Sequence, residues 1–226
     1  MTHTGRLTKL VIFDCDGVLV DSEPIENAEM ASALTSLGIE LDGHLADELI
    51  GLADDDAETY LRRKFGNSLP DDFMARHRQR TLVALERRVA AFPNAAEVVV
   101  AVKARGAMVA VASNGEPEKM TTTLGVTGLL PLFEGRLFSR ANVVRGKPGP
   151  DLFLMAAADR GIPPESCLVV EDSWAGMQAA VAAGMPFVAF RPSNRASQDP
   201  PAGPLGVIDD LMELLKFVRT APEQSF

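Results

Sequence analysis

The sequence predicts an α/β fold: a Rossmann-like, doubly wound parallel sheet with an all-helical unit inserted after the first strand. Two observations carry this reading. Short, continuous apolar runs recur with helical stretches between them, as expected of parallel strands buried on both faces. From about Ser22 to Phe92 the pattern changes to helices alone. The chain has 226 residues, 46% of them hydrophobic and 23% charged, enough to bury a sizeable core.

The elements follow in order. Leu10 to Phe13 reads as a buried strand and stops at Asp14-Cys15-Asp16-Gly17. Helical patterns then cover Ile25 to Leu37, Ala57 to Phe65 and Phe73 to Val89. This stretch carries Arg62, Arg63, Arg76, Arg78, Arg80, Arg87 and Arg88, which read as a solvated face, with contact to an anionic substrate end as the alternative. Phe92-Pro93-Asn94 marks the return to the core. The predicted division is a core of 1–20 and 93–226 and a helical cap of 21–92, hanging over the strand ends where α/β sites form. Further strands are expected at Met108–Ala112, Leu168–Val170 and Phe187–Phe190, with a weaker one at Arg136–Phe138. Pro192 to Pro204 reads as a surface loop, Ile208 to Val218 as a short amphipathic helix, and the last residues as frayed.

Bulk properties narrow the function. A formal charge of −9 argues against nonspecific nucleic-acid or anionic-membrane binding. The two cysteines, Cys15 and Cys167, flank predicted strands and read as reduced structural thiols. Met1 to Lys9 does not resemble a signal peptide, and no run approaches the ~20 apolar residues of a membrane helix. A cytoplasmic location is expected, with no membrane or nucleic-acid partner. The oligomeric state is left open, a monomer being compatible.

Four strand ends carry polar residues suited to one reaction. A carboxylate at the end of a buried strand is costly unless paired or metal-bound, so Asp14 and Asp16 suggest a Mg²⁺ site and a nucleophile. An acidic Asp-Gly turn is the plain alternative. Val109 to Ala112 ends in Ser113-Asn114-Gly115 before Pro117, a helix start able to seat a phosphate; Ser113 could equally be only a cap. Lys147 stands in Gly146-Lys147-Pro148-Gly149-Pro150, held rigidly enough to neutralise a phosphoryl group, although a surface lysine is the common outcome. Leu168 to Val170 ends in Glu171-Asp172-Ser173. Asp172 can complete the metal site, or the acidic pair can serve the dipole of the next helix. Parallel strand ends meet at one edge, so the four plain readings would have to coincide.

In these motifs, DCDGVLVDS (14–22), VASNG (111–115), GKPGPDLF (146–153) and VVEDSWAGMQAA (169–180), the chain resembles the haloacid dehalogenase superfamily, in the branch with a helical cap after the first motif. The resemblance spans nearly the whole chain. It implies Asp14 as the nucleophile that forms an aspartyl-phosphate and Asp16 as general acid, then base. It implies Ser113 and Lys147 as phosphate ligands with Asn114 beside them. Mg²⁺ would be held by Asp14, the Asp16 main-chain carbonyl and Asp172, with Glu171 at or near the metal. The implied activity is a Mg²⁺-dependent phosphatase for a small phosphorylated metabolite, a sugar or sugar-acid phosphate.

Two alternatives stay open. One is a phosphosugar mutase of the β-phosphoglucomutase type. Against it, Gly51 to Asp56 is acidic where those enzymes place an arginine, and Glu26 stands near the place of their histidine. The second is a non-catalytic binding protein on the same fold, which the retained Asp14, Asp16, Ser113, Lys147 and Asp172 oppose. His3, His44 and His77 are too scattered for a metal site. Trp174 is expected to pack, and Met120, Met155 and Met177 to fill helix cores.

Overall fold

The computed structural model describes residues 7–39, 45, 49, 54–193, 200–201 and 203–219, with only the backbone of 54 and 55. The apolar runs become strands: β1 (Leu10–Phe13), β2 (Met108–Ser113), β3 (Leu137–Ser139), β4 (Cys167–Glu171) and β5 (Phe187–Phe190). A sixth, β6 (Gly206–Ile208), completes one parallel sheet in the order β3-β2-β1-β4-β5-β6. The weak run at Arg136 is a real strand because it extends the edge beside β2, with Ala112 opposite Phe138.

Between β1 and β2 lie α1 (Glu23–Thr35), α2 (Asp54–Phe65), α3 (Phe73–Arg88) and α4 (Ala95–Ala104). The later helices are α5 (Pro117–Val126), α6 (Asp151–Ala158) and α7 (Trp174–Ala182). Successive side chains of a strand point to opposite faces, so Val11 and Phe13 enter one apolar layer and Leu10 and Ile12 the other. α4 and α5 cover the first layer, α6 and α7 the second. Both faces are thus buried, which is why the strands read as unbroken apolar runs.

The helices α1 to α3 share a third apolar cluster that includes Met30, Leu34, Leu61, Phe73 and Met74. Glu29 of α1 pairs with Arg88 of α3 at 2.8 Å. The chain leaves the sheet and returns side by side. Asp21 N–H donates to Ala90 O at 2.9 Å, and Phe92 N–H donates to Leu19 O at 3.0 Å.

The C-terminal expectation needs correction. Ile208 does not open a helix: it closes the sheet edge opposite Phe190. A short 3₁₀ helix, Leu211–Lys216, follows, with Asp210 accepting from Met212 N–H at 2.8 Å. Gly206 makes the edge possible, because a Cβ there would lie 2.3 Å from Phe217 Cζ. Three strand residues carry too short a period to be told from the first turn of a helix. Residues 194–199, 202 and 220–226, read as loop and frayed tail, lie outside the described residues. Among the described residues no helix is long and apolar enough to cross a membrane.

Candidate active site

The strand order reverses between β1 and β4, and the sequence-predicted residues collect at that switch point. Asp14 follows β1 directly and is tied to β4, its N–H donating to Val170 O at 3.0 Å. Its carboxylate is buried and accepts from the ammonium of Lys147. The same ammonium donates to Glu171 Oε1 and lies 5.0 Å from the Phe153 ring centroid. Lys147 is therefore a buried bridge between two strand ends and not a surface lysine.

Asn114 holds that bridge in place. Its Oδ1 accepts from Lys147 N–H at 2.8 Å and its Nδ2 donates to Lys147 O at 3.1 Å. Gly146 lets the loop come this close, since a Cβ there would lie 2.5 Å from Asn114 Oδ1. Ser113, also buried, accepts from Gly115 N–H at 3.0 Å, which leaves its hydroxyl proton to donate. Glu171 is fully buried behind Lys147, where its Oε2 accepts from Ser173 N–H at 3.0 Å and Ser173 Oγ at 2.9 Å. The structure thus gives Glu171 the job of holding Lys147 and anchoring the start of α7.

Charge at this edge is finely opposed. Burial pushes the Asp14 carboxyl well above the usual carboxylate range; Lys147 pulls it down, and Glu171 and Asp16 push it up again. Burial disfavours the Lys147 ammonium, but Asp14 and Glu171 outweigh it and hold its pKa above the ordinary lysine value.

Asp16 has partners that the sequence did not reveal. Its Oδ1 accepts from Ser22 Oγ at 2.6 Å, and its Oδ2 lies 3.1 Å from Lys119 Nζ. Lys119 in turn pairs with Glu26 of α1. One signal was present for Lys119: a cation in the first turn of a helix opposes the dipole and calls for acidic neighbours. Ser22 had no comparable mark.

Asp172 lies directly on Gly17, where a Cβ would fall 2.0 Å from its Oδ2. Gly17 also holds φ +86°, a left-handed conformation that favours glycine. Among the described residues no three His, Cys, Asp or Glu side chains form a metal cluster. The predicted set counts the Asp16 carbonyl as its third donor, beside the carboxylates of Asp14 and Asp172. These hard oxygen donors fit Mg²⁺. Asp14 also sits where added positive charge would favour its ionised form.

Asp14, Asp16, Ser113, Asn114, Lys147 and Asp172 all line one cavity of about 770 Å³. Glu23, Glu26 and Asn27 of α1 and Arg78 and Gln79 of α3 line its far side. Arg78 is an arginine of the helical segment that lines the cavity, while Arg62 and Arg76 pair with Glu58 and Asp72. His77 stacks on Phe73 at 6.4 Å, buried among helix neighbours. His3 and His44 lie outside the described residues. Trp174 corrects another expectation: it is the first residue of α7, after the Ser173 cap, and is 47% exposed. Residues 51–53 and the side chains of Asp54 and Asp55, read as the acidic cap stretch, lie outside the described residues.

Residues 8–184 match the family model of haloacid dehalogenase-like hydrolases. The chain belongs to that family. A chloroplastic relative in Arabidopsis thaliana, Protein SUPPRESSOR OF QUENCHING 1, is 32% identical over 89% of this chain, which spans 19% of that longer protein. 6-Phosphogluconate phosphatase of Escherichia coli (strain K12) is 31% identical over 91% of this chain and 94% of its own length. Among solved structures, a family hydrolase from Deinococcus radiodurans R1 with bound phosphate and sodium is 34% identical at TM-score 0.75, covering 93% of this chain and 94% of that one. The α/β sheet of this haloacid dehalogenase-like hydrolase is therefore the family's own architecture.

Proposed function

We propose that this hydrolase is a phosphatase for a small phosphorylated metabolite, a sugar or sugar-acid monophosphate. The observation that carries the reading is the Asp14–Lys147–Glu171 chain at the switch point, with Asp16 held two residues further on. The likeness to 6-phosphogluconate phosphatase over nearly the full length of both proteins supports the substrate class.

Asp14 attacks phosphorus, forming an Asp14 O–P bond as the P–O bond to the metabolite breaks. Asp16 gives its proton to the departing oxygen. Its carboxylate then takes a proton from water, whose oxygen attacks phosphorus and breaks the Asp14 O–P bond, releasing inorganic phosphate. Lys147 neutralises the phosphoryl oxygens together with the Ser113 hydroxyl. Asn114 serves them through the Lys147 loop. Mg²⁺, held by Asp14, Asp172 and the Asp16 carbonyl, supplies positive charge to the transferring group when bound. Residues 21–92 act as the cap that excludes water, on a core of 1–20 and 93–226.

The test is a panel of phosphorylated metabolites assayed with Mg²⁺ for free phosphate and for isomerised sugar. Phosphate release from monophosphates is expected. Asp14→Asn should melt like the wild type and lose about 10³-fold or more of turnover. Isomer without phosphate would establish the mutase instead, and brisk phosphate release by folded Asp14→Asn would overturn the covalent route.

A further inference from the structure

Asp16 is gripped from two sides by elements that differ in origin. Ser22 stands at the entry to α1 and donates to one oxygen at 2.6 Å. Lys119 reaches the other oxygen at 3.1 Å from α5, in the core. The two contacts take different oxygens, so together they select one rotamer of the carboxylate. Gly115 leaves room for that rotamer, since a Cβ there would already sit 3.3 Å from Asp16 Oδ2. Lys119 stands in the first turn of α5, where its charge opposes the helix dipole. Its position is explained by acids: Asp16 on one side and Glu26, from α1, on the other. Both Lys119 and Glu26 line the cavity.

We propose that Lys119 is a positioning residue for proton transfer by Asp16, and that Glu26 sets Lys119 from α1. The inference rests on the phosphatase reading above. Proton delivery then depends on where α1 sits. With α1 in place, Glu26 fixes the lysine and the lysine fixes the carboxyl that hands its proton to the departing ester oxygen. With Glu26 withdrawn, the ammonium follows a flexible four-carbon stem and Asp16 keeps only Ser22.

The test separates leaving groups. An alkyl phosphate must receive a proton as its P–O bond breaks, whereas p-nitrophenolate departs as the anion. Steady-state kcat and KM are measured with Mg²⁺ on p-nitrophenyl phosphate and on glucose 6-phosphate or 6-phosphogluconate, whichever turns over faster. Lys119→Met should lower kcat/KM on the sugar phosphate by about 10- to 100-fold and on the aryl ester by less than about threefold, because kcat/KM ends at departure of the leaving group and excludes the Asp16-assisted hydrolysis of the aspartyl-phosphate that both esters share. Lys119→Arg should recover most of the loss. Glu26→Gln, close in shape to the native residue, should lower the sugar-phosphate kcat/KM by about 3- to 10-fold with the aryl kcat/KM nearly unchanged. It carries the same test if Lys119→Met fails to fold. In an Asp16→Asn background, adding Lys119→Met should cost nothing further, because the group it positions is gone. Equal losses of kcat/KM on both leaving groups, or an undiminished loss in the Asp16→Asn background, would overturn the proposal. Wild-type protein that releases phosphate from neither probe would overturn the phosphatase reading, and the proposal with it.

Discussion

At the scale of single residues, burial decides which groups react. Cys167 opens β4 with its Sγ 3.6 Å from Pro163 O, and burial, aided by Glu165, pushes its thiol up to about 12. An unfolded thiol titrates near ~8.5. Below that pH both states keep the proton. Above it the unfolded chain releases a proton that the native thiol retains, so stability falls as pH rises from ~8.5 toward the native value. Urea unfolding under reducing conditions should show a loss of about 2 kcal/mol between pH 8.5 and 10 that Cys167→Ala removes. An identical pH slope in the variant would refute this. The same scale shows what could be read from sequence. Asp14 and Lys147 stood out because a charge at the end of an apolar run, or between glycine and prolines, is locally conspicuous. Ser22 carried no mark, and Lys119, although marked as a cation in the first turn of a helix, could not be joined to Asp16, which is 103 positions away in the chain (119 − 16) and brought near only by the fold.

At the scale of elements, α7 is seated on the site by a missing side chain. A Cβ on Gly176 would fall 1.8 Å from Glu171 Oε1, and Glu171 holds Lys147 from behind. Gly176→Ala should therefore push Glu171 out of its pocket, cost about 1–3 kcal/mol in denaturant unfolding and reduce phosphate release. Unchanged stability and activity would show that α7 can shift away freely. The strands β1, β2, β4 and β5 were legible because burial on both faces writes an unbroken apolar word. β6 was not, because three residues on an edge carry almost no period of their own and owe their strand geometry to Phe190.

At the scale of the molecule, the helical segment meets the core where α3 packs on α5, where Glu26 pairs with Lys119 beside the cavity, and where a single β-bridge joins Val20 to Ala91. A metal shared by Asp14 and Asp172 would join the ends of β1 and β4, so it should stabilise the whole core. Mg²⁺ should raise the melting temperature, EDTA should abolish turnover until Mg²⁺ is restored, and Asp172→Ala should blunt both effects. Full turnover in metal-free buffer would remove the ion from the reaction. The fold class was readable at this scale from alternation alone, whereas the depth of the cavity was not, since it depends on how α1 and α3 lie across the strand ends.

The side-by-side departure and return of the chain has a consequence for descent as well as for chemistry. Asp21 and Ala90 are neighbours in space, so to the sheet everything between them is one closed loop. Closing a longer loop costs only a logarithmic increment, about 0.6 kcal/mol for each doubling of its length. Lineages could therefore lengthen, trim or replace the helices between these two points while the sheet that carries Asp14 registered almost no change. New substrates could be explored in one part of the gene at little risk to the sheet, provided that Ser22 and Glu26 keep their hold on Asp16 and Lys119.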